Sequence, residues 1–218
     1  SLRLALDTMG MRELTAGERT RFVMMMTRDV DRLQAFIEHV LEAGRLEHGR
    51  REILSEPVSV VETVDRVVDI IRNRYDLGQE QIGVRLDLSE PSESIYSDPM
   101  ALDIILLNLL DNAVKYSGGA ASAPVLLEVS QVDGSQIEIL VQDNGVGIPR
   151  KQLKKIFRRF HRIQAPGTDG VQGTGLGLYV VQFLVRRLGG RVTASSEGEN
   201  QGSVFRVQLP VARGLLAK

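Results

Sequence analysis

The spacing of apolar residues changes character along the chain. Between Thr15 and about Arg51, Val23, Met26, Val30, Leu33, Ile37, Val40 and Gly44 recur in alternating steps of three and four. That is the seam of a coiled coil. Phe22, Phe36 and Leu41 widen the seam into a face suited to a bundle of more than two helices. Thr15 and Glu18 have capping-box spacing, so one long helix is predicted behind them. Residues 1–9 are apolar-rich and open without a cap, and read as the tail of a helix that begins upstream.

Beyond Arg51 the pattern is mixed. Pro57 disfavours helix at its predecessor, which makes 52–57 a joint. Helical periodicity covers about 59–75 and 98–116, and a last helix fits Thr174–Leu188, closed by Gly189-Gly190. Runs of β-forming residues predict strands at Ile82–Leu88, Val125–Val132, Ile137–Gln142, Arg191–Ser195 and Val204–Leu209. Gly and polar residues crowd 161–175, the composition of a loop. The expected layout is a helical segment over 1–51, the joint, an α/β domain over 58–212 and a tail at 213–218.

Composition narrows the function classes. The chain has 218 residues, 43% hydrophobic and 25% charged, which suits a soluble globular protein. Its formal net charge of −1 offers no electrostatic footing for nucleic acid or an anionic membrane. With no cysteine, disulfides and thiolate metal sites are excluded. No apolar run reaches membrane-spanning length.

Three clusters carry candidate chemistry. The first is N-L-L-D-N-A-V-K-Y-S, 108–117, where Asn108, Asp111, Asn112 and Lys115 share one stripe of an otherwise apolar helix. The second is D-N-G-V-G-I-P, 143–149, directly after a strand. The third is G-T-G-L-G-L, 173–178, directly before a helix. Singly, each has an ordinary explanation: a solvated helix face, an Asn-Gly turn, a flexible connection. The third is not the dinucleotide fingerprint, because Leu178 stands where its last glycine belongs. The second lacks the acidic positions of a calcium loop.

Combined, they describe a nucleotide site. A glycine-rich turn feeding a helix start offers backbone N–H groups to phosphate, and Gly173, Gly175 and Gly177 admit close approach. Asp143, at a strand end, can accept a hydrogen bond from the adenine amine. It would meet the guanine carbonyl with lone pair against lone pair, a mismatch of ~1–3 kcal/mol. Asn108 and Asn112 present hard amide oxygens suited to Mg²⁺. Lys115, about one turn on, can neutralise phosphate.

These clusters, with I-F-R-R-F-H-R at 156–162, resemble the N, G1, F and G2 boxes of sensor histidine kinases, in the family's order and spacing. The resemblance covers about 58–212. It implies an α+β architecture: a helical hairpin that forms a four-helix bundle on dimerisation, followed by an α/β-sandwich ATP-binding domain with a mixed sheet. By position, it implies Asn112 and Asn108 as Mg²⁺ ligands, Lys115 at phosphate and Tyr116 against adenine. Asp143 would read the base above Gly145 and Gly147. Phe157 and Phe160 would anchor the ATP lid, with Arg162 a candidate phosphate contact. Gly173, Thr174, Gly175, Leu176 and Gly177 would line the phosphates. ATP and Mg²⁺ are the implied cofactors. A homodimer through the N-terminal helices and a response-regulator receiver domain are the implied partners. The implied location is the bacterial cytoplasm, any inner-membrane anchor lying in parts of a parent chain outside this sequence.

Residues 1–51, with Leu-Arg-Leu-Ala-Leu-Asp-Thr-Met at the start and Arg45-Leu46-Glu47 near the end, resemble the dimerisation and phosphotransfer helices of the same family. The family's H-E-x-x-x-P-L acceptor box is missing. His39 lies off the seam, His48 follows the helix end and His161 sits in the F box, so none reads as the acceptor. The acceptor histidine is expected upstream of Ser1, leaving no catalytic residue in the chain as given. Two alternatives remain: an ATP hydrolase of the same superfold, and a dimeric module that senses nucleotide without chemistry. Related hydrolases carry a water-activating glutamate at the first N-box position; here that position is Asn108, and an amide cannot accept a proton at neutral pH.

Overall fold

Among the described residues from 54 onward, three α-helices each bury an apolar face, and a side chain caps the first two. In a computed structural model, the described residues are Thr15, Gly17, Glu18, Thr20, 54–88, 94–117, 124–132, 135–163 and 173–211. Helix α1, Val60–Tyr75, starts at Ser59, whose hydroxyl accepts the Glu62 N–H at 3.3 Å. It buries Val60, Val64, Val67, Val68 and Ile71 along one face. It stops where Asp76 turns left-handed at φ 52° and its N–H returns to the Arg72 carbonyl. Helix α2, Pro99–Tyr116, is capped by Asp98, which accepts the Ala101 N–H at 2.9 Å; Pro99 supplies a first turn that needs no donor. Helix α3 is Gly177–Arg187.

Among the described residues there are seven strands: β1 Glu56–Ser59, β2 Ile82–Asp87, β3 Ser94–Ser97, β4 Val125–Val132, β5 Gln136–Asp143, β6 Arg191–Ser195 and β7 Ser203–Pro210. Five of them form one sheet in the order β2-β4-β5-β7-β6. The β2–β4 pair is parallel and the rest antiparallel, so the sheet is mixed. Period-two burial makes one face apolar. Leu127, Val141 and Phe205 form one buried row across β4, β5 and β7, and Val129, Ile139 and Val207 the next. The helices pack on this face, while the opposite face carries Arg85 paired with Glu128 and Arg206 paired with Glu138. The result is the expected α+β sandwich.

The strands β1 and β3 were not legible in the pattern. They pair antiparallel as a separate two-stranded sheet, with Pro57 opposite Tyr96. Proline is tolerated because so small a ribbon is all edge. Leu54, inside the predicted joint, donates its N–H to Asp98 at 3.3 Å, tying the approach to β1 to the α2 cap.

The chain divides into two compact units, Ser1–Arg50 and Arg51–Lys218. In the first, the predicted capping box is present: the Thr15 N–H donates to Glu18 Oε2 at 2.9 Å, and the Thr15 hydroxyl accepts the Glu18 N–H at 3.3 Å. The rest of the predicted seam, the four-helix bundle, His39, His48, loop positions 164–172 and the tail at 213–218 lie outside the described residues. Among the described residues no helix is long and apolar enough to cross a membrane.

Candidate nucleotide site

The three clusters converge on the C-terminal half of α2. The loop after β5 docks on its end, where the Val146 N–H donates to the Tyr116 carbonyl at 3.1 Å. A Cβ on Gly145 would lie 2.1 Å from that same oxygen, so only glycine allows this approach. The far side of the loop is held by the β6–β7 connection: Gly202 N–H to Gly145 O at 3.0 Å, Asn200 N–H to Val146 O at 2.7 Å and Ile148 N–H to the Ser196 hydroxyl at 3.0 Å. Gly147 takes φ +68° with its Cα against Gly198.

Asp143 sits at the end of β5, 4% exposed. Its Oδ1 accepts the Gly145 N–H at 2.8 Å, and its Oδ2 accepts the Ser203 hydroxyl from the neighbouring strand. Burial pushes the carboxyl above its ordinary value, while the Ser203 hydroxyl and the Gly145 and Ser203 N–H groups pull part of the way back. With three donors on its roughly four acceptor positions, the carboxylate keeps room for one incoming donor. Ser203 escaped the sequence reading because its role depends on the β5–β7 register, which sets it opposite Asp143. The serine opening the G-S-V-F-R-V-Q-L-P strand was the only local hint.

The polar stripe on α2 splits in two. Asn108 is buried, donates Nδ2–H to the Ile104 carbonyl at 2.8 Å, and turns Oδ1 toward Gly177 at the start of α3. Asn112 is half-buried, and its amide makes no hydrogen bond among the described residues. Both amide oxygens therefore remain acceptors. Asp111 faces α1 instead, and Lys115 pairs with it from one turn along α2. Asp111 accepts from Tyr75 Oη at 2.7 Å, from Arg74 Nη1 at 3.2 Å and from the Lys115 ammonium. Burial alone would raise the Asp111 carboxyl; the ammonium, the phenol and the guanidinium outweigh it and hold the group below its ordinary value. Burial, then the Asp111 charge, pushes the Tyr75 phenol far up. Lys115, expected at phosphate, is thus ion-paired within its own helix.

Helix α3 starts at Gly177 rather than at Thr174. The Thr174 hydroxyl accepts the Leu176 N–H at 3.1 Å, a local turn that competes with helix, and Gly175 is left-handed at φ +71° against the Phe160 backbone. Leu176 is buried and Gly173 lies in open space. No side chain caps α3, so its first N–H groups are left for a ligand beside Asn108.

Of the two expected lid anchors, only Phe157 is buried; Phe160 is 67% exposed. Its backbone is left-handed at φ 56°, which turns the ring outward. Burial raises the Tyr116 phenol and the Arg162 guanidinium draws it partly back, so Arg162 reaches the Tyr116 edge of the site electrostatically. His161 shares a hydrogen bond with Gln152 at 3.1 Å, a structural role. Arg159, which the sequence reading did not single out, bonds Tyr179 Oη at 2.6 Å with its guanidinium 4.5 Å over the ring.

The sequence pattern that defines the Histidine kinase-, DNA gyrase B-, and HSP90-like ATPase family matches residues 97–213, more than half of the chain. The chain belongs to this family. Its curated relatives include sensor kinases. The signal transduction histidine-protein kinase BarA of Escherichia coli K12 is 31% identical over 207 residues, 93% of this chain and 22% of BarA. The adaptive-response sensory kinase SasA of Synechococcus elongatus is 34% identical over 193 residues, 85% of this chain and 46% of SasA. The chain therefore spans less than half the length of these relatives. Among solved structures, full-length ShkA in complex with AMPPNP superposes with a TM-score of 0.72 at 30% identity, covering 93% of this chain and 41% of ShkA. The mycobacterial sensor histidine kinase MprB gives 0.59 at 28% identity, over 72% of this chain and 97% of that structure. The domain is an ATP-binding catalytic domain of the histidine-kinase type.

Proposed function

We propose that this chain is the catalytic core of a histidine protein kinase of a two-component system. It binds ATP–Mg²⁺ and places the γ-phosphoryl group for in-line attack by an imidazole nitrogen of a histidine outside this sequence. The new P–N bond forms as the bond to the bridging oxygen breaks and ADP departs. The phosphoryl group then passes to the aspartate of a response-regulator receiver domain. The core works as a homodimer through its N-terminal helices, in the bacterial cytoplasm.

The observation that carries this reading is Asn108, buried beside the uncapped start of α3. Related hydrolases need a base at that position to activate water, and an amide supplies none. A histidine nucleophile needs little such help, so placement and charge neutralisation suffice.

Chemistry of the donor set supports the cofactors. Asn112 and Asn108 would hold Mg²⁺ through amide oxygens, and the ion would neutralise charge on the phosphates. Among the described residues no cluster of three His, Cys, Asp or Glu could hold a metal, which fits an ion bound by one or two protein oxygens plus phosphate. Asp143 would take the adenine amine, with Tyr116, Gly145 and Gly147 around the base. Phe157, Phe160 and Arg162 belong to the lid, and Gly173, Thr174, Gly175, Leu176 and Gly177 to the phosphate end.

The test is calorimetric titration with ADP and ATP, with and without Mg²⁺, against GDP as control. Adenine-selective binding that Mg²⁺ strengthens, weakened by Asn112→Asp, supports the reading. On a chain extended through the acceptor, γ-labelled ATP should leave an acid-labile, base-stable label. Phosphate release without a protein label would instead favour the hydrolase.

A further inference from the structure

Asp111 has no place in the proposed chemistry, yet it is the most densely bonded carboxylate of α2. Arg74 and Tyr75, the last two residues of α1, both donate to Oδ1, leaving Oδ2 to Lys115 one turn along. The Asp111 side chain is 17% exposed and that of Lys115 32%. Were Lys115 the sole partner, moving its ammonium onto a phosphate would strand a nearly buried carboxylate, which is strongly unfavourable. With two donors fixed from another helix, the carboxylate stays satisfied when the ammonium leaves.

We propose that Tyr75 and Arg74 are positioning residues for Lys115, acting through Asp111: they retain the carboxylate so that the ammonium can exchange from Asp111 to a nucleotide phosphate. The inference rests on the nucleotide-binding reading above. Lys115 then has two stations one hydrogen bond apart. In the empty site it is parked on Asp111. With a phosphate present it turns to the ligand while Tyr75 and Arg74 keep Asp111 in place. The arrangement ties phosphate occupancy to the end of α1, an element with no direct part in the site. It also explains why Asp111 shares the asparagine stripe although its own oxygens face α1.

The experiment compares adenosine, ADP and ATP–Mg²⁺ by calorimetry on the whole chain. Tyr75→Phe combined with Arg74→Gln should weaken ADP and ATP about tenfold, the size of one charge-assisted hydrogen bond, and leave adenosine within about twofold. The same pair of changes in a Lys115→Met background should add nothing further, and Arg74→Lys should restore most of the loss. Thermal unfolding of each variant separates a folding defect from a binding one. The inference is overturned if adenosine and ATP weaken in parallel, which would mark a purely structural cluster, or if neither changes. A wild-type chain that binds none of the three ligands would remove the nucleotide reading itself, and this inference with it.

Discussion

The Oδ1 of Asn108 lies 2.5 Å from the point a Cβ on Gly177 would occupy. Two boxes separated by nearly seventy residues thus meet at atomic contact, and any side chain at 177 would displace the Asn108 amide. Gly177→Ala should push the amide off its station and weaken ATP–Mg²⁺ binding about tenfold. In a double-mutant cycle with Asn108→Ala, the two losses should be clearly less than additive, because both disturb one contact. Isothermal titration of the four proteins checks it; strict additivity would show that the contact is irrelevant to binding.

Ser203 donates its hydroxyl to Asp143 across the β5–β7 register, and on the proposed reading the pair faces the adenine. Ser203→Ala removes a donor from a buried carboxylate and should cost ~1–3 kcal/mol of stability. It should weaken adenosine and ATP by similar factors, since the proposed reading sets this contact at the base rather than the phosphates. Asp143→Ala should reduce ATP binding far more. Competition against a fluorescent ATP analogue measures both.

The buried Asp143 carboxyl should titrate above its ordinary value of 3.8 in the ligand-free protein. The sign of its linkage to folding follows. Between the unfolded and the raised folded pKa the native state binds more protons, so this group makes unfolding free energy fall as pH rises. Asp143→Asn should remove that slope. Carbon-13 NMR of the carboxyl and urea denaturation from pH 4 to 7 provide the two readings.

Gly145→Ala would set a methyl 2.1 Å from the Tyr116 carbonyl, against backbone that cannot yield as a side chain does. The Val146–Tyr116 hydrogen bond would be lost with it. A destabilisation of about 2–3 kcal/mol is expected, or a fall in Tm of roughly 5–10 °C, by scanning calorimetry.

Asp98 caps α2 through Oδ1 and holds the Leu54 N–H through Oδ2 while 2% exposed. Asp98→Ala should cost about 2 kcal/mol, and Asp98→Asn less than half of that, by chemical denaturation.

Much of this molecule could be read from residue order alone. Helices α1 and α2 and strands β4 and β6 lie where period and capping residues put them, because each buries a face whose spacing is local. The boxes were legible for the same reason: each is a contiguous run whose glycines and amides announce a backbone geometry. The ribbon of β1 and β3 was not, being two four-residue strands, one containing proline, with too few positions to show a period. Nor was the outward turn of Phe160, which depends on the backbone of Gly175 packed against it.

By itself the sequence determined the α+β class, the order of the three helices and of the five strands of the larger sheet, and the chemical types gathered for a nucleotide: a carboxylate, two amides, an ammonium and pliant glycine turns. Tertiary structure alone decided the assignments within that set. It gave Asp143 its Ser203 partner through strand register, turned Asp111 toward Tyr75 and Arg74 with Lys115 paired to it, and brought Asn108 against Gly177. Periodicity specifies which face a residue occupies; which distant atom meets it there depends on the packing of whole elements, and that no local run of residues encodes.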